Sequence, residues 1–119
     1  MSHTVSIQAQ VKCQTALAST CLRLGLPAPT HGQVRLFDQI ATGTGVQLPG
    51  WRFPICITND GSILHDHFQG FWGNPKELSR FLQAYATEAA KLQARRQGHS
   101  VTESQLADGT IQLTVELGG

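Results

Sequence analysis

The amino-acid sequence predicts a single α+β domain over residues 1–119, built as a two-layer sandwich. Three observations predict it: two segments carry apolar residues at helical spacing, shorter segments around them alternate apolar and polar residues, and glycine-containing turns join neighbouring strand segments. We expect two helices packed on a mainly antiparallel sheet of about five to six strands, in the order β-α-β-β-β-α-β-β. A length of 119 residues is typical of one domain with one core.

The N-terminal third predicts a strand, a helix and a second strand. Residues 4–11 alternate apolar and polar side chains, which indicates a strand with one buried face. A helix is predicted over 14–24, because apolar residues recur at helical spacing and Gly25 can take the left-handed conformation beyond its end. Residues 26–33 are predicted to form a loop, and residues 34–37 a short strand.

The middle of the chain predicts an irregular segment followed by a hairpin. The segment 38–50 is rich in glycine and threonine, and 43–45 (Gly-Thr-Gly) resembles a phosphate loop. It lacks the lysine of the Walker pattern and no helix follows it, so we interpret it as a flexible connection. Residues 51–58 and 62–68 flank Asn59-Asp60-Gly61, a strong turn signal, and together predict a hairpin.

The last third predicts a long helix and a second hairpin. Asn74 is a typical N-cap residue and Pro75 is favoured in a first helical turn. A continuous apolar stripe then extends the helix over about 23 residues, as far as a stop at Gly98. Residues 101–105 and 110–117 are predicted to pair as a hairpin, with the apolar face of the last strand packed inward.

Composition excludes some classes of protein. Only 14% of residues are charged and the formal net charge is +1, which argues against nucleic-acid binding and against docking to an anionic membrane. No apolar run is long enough to span a bilayer, and the first residues lack the pattern of a signal peptide. The three cysteines, at 13, 21 and 56, cannot all pair within the chain, and positions 13 and 21 are too far apart along the predicted helix for a disulfide, so we expect a reducing, cytoplasmic location.

His65 and His67 are candidate ligand residues. On a strand they project from the same face, close enough to share a metal ion. A third ligand depends on the hairpin: a two-residue turn would place Cys56 opposite His65, whereas a three-residue turn would place Ile55 there and dissolve the cluster. Two ligands without a third make a weak site, so we expect no metal or other cofactor.

Aromatic residues around the central hairpin are candidate interaction residues. Phe71 and Trp72 stand immediately before the cap of the second helix, where an exposed aromatic pair could anchor a partner. Trp51 belongs to the same aromatic group in the sequence. A thiol nucleophile is a further alternative, with Cys13 or Cys56 beside a histidine, although no cysteine has an activating local sequence.

Several of these features together resemble a family of small proteins encoded by cyanobacterial and algal plastid genomes and more widely in bacteria, named for hypothetical chloroplast reading frame thirty-five. The resemblance rests on the opening Met-Ser-His, the Asp60-Gly61 hairpin, Phe71-Trp72-Gly73, the Tyr85-Ala86 helix and the stretch 108–113. Where the family carries Asp-Trp-Trp-Gly, this chain has Gly-Phe-Trp-Gly. The resemblance implies fold and compartment, because the family has no established reaction.

These observations favour a non-enzymatic accessory protein that binds another protein. The alternatives are a small-ligand or metal-binding module built on His65 and His67, and a small thiol-dependent enzyme. An edge strand and a low surface charge also leave room for a homodimer, and the sequence leaves the oligomeric state open.

Overall fold

The computed structural model describes residues 5–7, 11–66, 72–107 and 111–116 of the chain. Within this part it contains two helices and seven strands, and the predicted α+β class is confirmed. The helices are α1 (Gln14–Leu24) and α2 (Pro75–Arg96); the strands are β1 (Val5–Ile7), β2 (Thr30–Arg35), β3 (Ile40–Val46), β4 (Ile55–Ile57), β5 (Ile63–His65), β6 (Ser100–Gln105) and β7 (Ile111–Glu116).

The strands form two separate antiparallel sheets. Five of them build the main sheet in the order β1-β5-β4-β3-β2, and β6 pairs with β7 as a separate two-stranded ribbon. The order along the described chain therefore has one strand more than predicted, because β3 lies in the segment that the sequence left irregular.

Both helices begin and end where the sequence predicts. The Cys13 side chain caps α1 by accepting a hydrogen bond from the Ala16 N–H, and Gly25 follows the helix with a φ of 69°. The Asn74 side chain caps α2 by accepting from the Lys76 N–H at 3.0 Å, and Gly98 follows with a φ of 81°. These positive φ values are the reason that glycine ends both helices.

The predictions for residues 26–50 need two corrections. β2 begins at Thr30 and ends at Arg35, so the loop is shorter than predicted and the strand is displaced towards the N-terminus. Gly43 lies inside β3 rather than in a flexible connection, and a Cβ there would collide with the carbonyl oxygen of Ile57. Glycine at this position therefore permits close packing of neighbouring strands. From the sequence alone, a glycine required for close packing cannot be distinguished from a glycine in a flexible segment.

The central hairpin has shorter strands than predicted, and its register decides between the two alternatives. Cys56 pairs with Leu64 and Ile57 with Ile63, and the Thr58 N–H donates to the Ser62 carbonyl at 2.8 Å. The turn therefore has three residues, 59–61, and Cys56 does not face His65. At the N-terminus, strand β1 covers only part of the predicted 4–11, of which positions 4 and 8–10 lie outside the described residues.

The hydrophobic core lies between one face of the main sheet and the two helices. Strand pairing places Ile57 and Ile63 side by side on this face, and Val46 beside Ile55. The helices cover these residues with Leu17 and Phe81, both fully buried. Among the described residues, this core cluster contains the buried side chains Val11, Ala16, Leu17, Cys21, Val46, Leu48, Trp51, Ile55, Ile57, Ile63, Leu78, Phe81 and Tyr85.

The β6–β7 ribbon lies against the helices through charges as well as apolar contacts. The Arg23 guanidinium of α1 is 2.6 Å from the Glu103 carboxylate of β6, and Lys91 of α2 is 3.9 Å from the same carboxylate. The predicted inward packing of β7 is only partial, since Leu113 is half-buried and Val115 is 43% exposed. With a radius of gyration of 15.3 Å, the chain is more extended than the roughly 13.5 Å typical of a compact domain of this length.

Candidate interaction surface

Three aromatic side chains and one arginine meet on the surface of the molecule. The Trp72 ring lies 4.6 Å from the Phe37 ring and 5.4 Å from the Phe53 ring, centroid to centroid. The Arg52 guanidinium lies 5.6 Å from the Phe53 ring and 5.5 Å from the Trp72 ring. These are distances at which aromatic pairs and cation–π pairs attract. We call Phe37, Arg52, Phe53 and Trp72 the aromatic patch.

Three different connections bring the patch together. Phe37 lies in the tight turn between β2 and β3, which the Leu36 N–H closes by donating to the Gln39 carbonyl at 2.9 Å. Arg52 and Phe53 lie between β3 and β4, and Trp72 precedes α2. The Arg52 N–H donates to the Trp72 carbonyl at 2.7 Å and so joins two of these connections directly.

Trp51 supports the patch from beneath. Its side chain is only 4% exposed. Trp51 was a candidate interaction residue, and such a residue has to lie on the surface, whereas Trp51 is buried. Its indole Nε1–H donates to the Asn74 carbonyl at 3.1 Å, and its ring lies against Gly73 so closely that a Cβ there would collide with it. Trp51 therefore fixes the segment that carries Trp72 to the cap of α2.

The patch is partly exposed and lies beside charged groups of both signs, since the Asp38 carboxylate shares the β2–β3 turn with Arg35. Phe37 is 44% exposed and neighbouring Ile40 is 65% exposed, although both are large hydrophobic residues. A shallow groove of about 320 Å³ runs along the β2–β3 turn; its lining residues are Arg35, Leu36, Phe37, Asp38, Gln39 and Ile40. With Arg35 in this groove and Arg52 over the rings, the surface combines apolar area with two guanidinium groups.

The sequence anticipated only part of this surface. Trp72 was a predicted interaction residue, and the structure places it at the centre of the patch, whereas Phe71 lies outside the described residues. Phe37 and Arg52 were missed, because their contacts join connections far apart in the sequence. The signal that could have found Phe37 is the apolar residue followed by Asp38 at the end of a predicted strand, where a turn exposes side chains.

The ligand candidates of the central hairpin do not come together in the described part of the chain. His65 is 4% exposed and its ring lies 5.8 Å from the Trp51 ring. Cys56 pairs with Leu64, the neighbour of His65, so Cys56 and His65 project from opposite faces of the sheet. His67 lies outside the described residues. No three described His, Cys, Asp or Glu side chains lie close enough to hold a metal ion.

The three cysteines are free thiols in structural positions. Cys21 and Cys56 are buried, and burial raises the pKa of both thiols above the ordinary value, which disfavours the reactive thiolate. Cys13 is half-buried at the start of α1, where its backbone N–H donates to the Tyr85 hydroxyl at 3.0 Å and its sulfur caps the helix. Each thiol thus has a packing or capping role.

A second concave feature lies between the helices and the β6–β7 ribbon. It has a volume of about 270 Å³ and is lined mainly by polar side chains, with Arg23 and Glu103 at one wall and Ile111 at another. The Glu103 carboxylate is held there by Arg23, whose hydrogen bond lowers the pKa of that carboxyl below its ordinary value. The Arg23 and Glu103 charges at this cleft therefore join the ribbon to α1.

Comparison of the chain with protein-family models, with curated proteins and with solved structures found no significant match. The resemblance to the family named for hypothetical chloroplast reading frame thirty-five therefore stays a prediction from sequence. Neither of the helices described is long and apolar enough to cross a lipid bilayer.

Proposed function

We propose that this protein is a non-enzymatic accessory protein that binds another protein through the aromatic patch. The observation that carries the proposal is the partly exposed group of Phe37, Phe53 and Trp72 beneath the Arg52 guanidinium. Aromatic residues and arginine dominate the binding energy of protein interfaces, because they bury large areas and still offer a polar edge.

The chemistry of the patch indicates the kind of segment it binds. Phe37 and Ile40 offer apolar area for an aliphatic or aromatic side chain, whereas Arg35 and Arg52 offer donors to a carboxylate. We therefore propose a partner segment in which an apolar side chain lies beside an aspartate or glutamate. A guanidinium held near aromatic faces is already oriented, so it loses little side-chain freedom when a carboxylate binds.

The support beneath the patch favours binding without rearrangement. The Arg52–Trp72 backbone hydrogen bond and the Trp51–Asn74 hydrogen bond hold the connections that carry the rings. Ordering loops during association costs free energy, and a surface ordered beforehand avoids most of that cost.

The proposal does not extend to catalysis or metal binding. His65 is buried beside Trp51 and its neighbour across the hairpin is not Cys56, so no described contact favours a ligand site there. The buried thiols favour a structural role over nucleophilic chemistry. Three free thiols fit a reducing compartment, and we propose the cytoplasm.

Comparative affinity purification from the native host tests this function. We expect the wild-type chain to retain a specific protein that Trp72→Ala and Phe37→Ser both lose. With that partner purified, calorimetry should give a loss of about 2 kcal/mol for Trp72→Ala, or roughly thirtyfold in affinity. Arg52→Gln should weaken binding less and should reduce its salt dependence, because it removes a charge and leaves the rings.

Leu22→Ser is the matched control. Leu22 lies on α1, away from the patch, and is 83% exposed, so its substitution removes comparable apolar surface without touching the rings. Retention of the partner by Leu22→Ser, together with its loss in the patch variants, supports the proposal. Equal retention by the wild type and all four variants would show that the partner binds elsewhere.

A further inference from the structure

Within the described residues, β7 is an edge strand. β7 pairs with β6 along one edge, and no strand in the described ranges pairs with its other edge. Proteins usually protect such an edge with lysine, proline or a bulge, because its free N–H and C=O groups can bind another strand. β7 has none of these, and its single charge is Glu116 at its end.

The two faces of β7 differ sharply in chemistry. Ile111, Leu113 and Val115 lie on one face, whereas Gln112 and Thr114 lie on the other. The apolar face is only partly covered, since Ile111 and Leu113 are half-buried and Val115 is 43% exposed. A sheet of only two strands is marginal in water, so further strands would add both hydrogen bonds and apolar cover.

We infer that two copies of the chain dimerise by antiparallel pairing of β7 with β7 of the second copy, with Leu113 on the two-fold axis. In this register Leu113 faces Leu113 of the partner subunit, and Ile111 faces Val115 of the partner subunit. On the opposite face, Gln112 lies across from Thr114 of the partner subunit. Every pair matches apolar with apolar or polar with polar, whereas a shift by one residue would mix the two faces.

The second copy fits this edge better than it fits the other edge of the ribbon. Self-pairing of β6 centred on Glu103 would place two Glu103 carboxylates opposite each other, and self-pairing centred on Thr102 would place Glu103 opposite the apolar Val101; both arrangements are unfavourable. Glu103 is moreover held by Arg23 of its own chain. Pairing through β7 avoids these problems and extends the ribbon to four strands.

The two-fold symmetry also preserves the layers of the fold. An antiparallel pair related by an axis perpendicular to the sheet keeps the apolar faces of both copies on the same side. Helix α2, which contacts both strands of the ribbon, would then lie on that same side in each copy. The dimer would form a four-stranded sheet with a helix from each copy on its apolar face.

Analytical ultracentrifugation of charge variants tests the register. Gln112→Lys with Thr114→Lys places like charges opposite each other twice across the axis, and we expect it to weaken the dimer about tenfold. Gln112→Glu with Thr114→Lys places opposite charges there twice and should restore association to the wild-type level or above. Both residues are exposed, so neither variant disturbs the apolar face of the ribbon.

Thr102→Lys with Ser104→Lys is the matched control, because it adds the same charge to the same polar face on β6 instead of β7. Unchanged association in this control supports the proposal. A wild-type chain that stays monomeric across a wide concentration range would overturn it. Equal weakening by the β6 variant, or no recovery with the opposite charges, would overturn it as well.

A disulfide provides a direct second test. Residues opposite each other in an antiparallel pair have Cα atoms about 4.5–5.5 Å apart, a separation that a disulfide can bridge. In a Cys13→Ser background, Leu113→Cys should therefore form a covalent dimer under mild oxidation, whereas Val101→Cys should not. Absence of the Leu113→Cys dimer, or equal cross-linking at both positions, would contradict the pairing.

Discussion

Gly73 has a role that only the folded chain reveals. A Cβ at this position would collide with the ring of Trp51, whose indole N–H caps the carbonyl of Asn74. We expect Gly73→Ala to lower the free energy of unfolding by about 1–3 kcal/mol, because either the ring or the backbone must move. Urea unfolding followed by far-ultraviolet circular dichroism measures the change.

The double variant Trp51→Phe with Gly73→Ala serves as the control for this prediction. A smaller ring leaves space for the added methyl group, so Gly73→Ala should cost less in the Trp51→Phe background than in the wild type. Equal costs in the two backgrounds would show that the glycine is needed for a reason other than this contact.

Thiol reactivity separates the three cysteines. Cys21 is 1% exposed and Cys56 is fully buried, and burial raises the pKa of both, so each should react only after unfolding. Half-buried Cys13 should react first in the native protein. Alkylation followed by mass spectrometry of peptides measures the order, and rapid native modification at Cys56 would contradict the packing described here.

At the scale of elements, one carboxylate of the β6–β7 ribbon contacts both helices. Glu103 faces Arg23 of α1 and Lys91 of α2, and Glu88 of α2 lies beside both cations. We expect Glu103→Gln to reduce stability by about 0.2–1 kcal/mol and to speed hydrogen exchange in β6. Glu116→Gln on the same ribbon is the matched control, since Glu116 is an exposed residue at the end of β7.

The same contact gives a pH dependence of known sign. The hydrogen bond from Arg23 lowers the pKa of the folded Glu103 carboxyl below its ordinary value. Its stabilising contribution is therefore present above that ordinary value and is lost as the pH falls through the lowered one. The protection factors of the β6 amides, which correct for the intrinsic pH dependence of exchange, should fall over this acidic range in the wild type, and Glu103→Gln should flatten that fall.

Local sequence signals predicted both helices well, but they did not predict β3. Asn74 and Gly25 mark helix boundaries through hydrogen bonds and backbone conformation within a few residues, so the sequence contains the whole signal. The glycines of β3 have the opposite property: Gly43 is required by the carbonyl of Ile57, which lies on another strand. When the residue type at a strand position is determined by contacts with an adjacent strand, the local sequence pattern does not predict that strand.

At the scale of the whole molecule, the two-layer arrangement could be predicted and the surface could not. Helical stripes and alternating strands require a sheet covered by helices. The aromatic patch instead depends on three connections meeting, because Phe37, Phe53 and Trp72 touch only after the sheet forms. The sequence indicated Trp72 by its position immediately before the helix cap and could have indicated Phe37 by its position before Asp38, but it contained no signal that the two residues would meet.

The central claim is that a protein partner binds to the aromatic patch. The most direct test is site-directed photocross-linking in cells of the native host. Phe37→p-benzoylphenylalanine places a reactive ketone on the patch, and Leu22→p-benzoylphenylalanine places the same group on an exposed position of α1. We expect the probe at position 37 to cross-link to one discrete protein, and we expect this product to disappear when Trp72→Ala is added. The probe at position 22 should not cross-link to that protein. Cross-linking to the same proteins from both positions, or at neither, would contradict the claim.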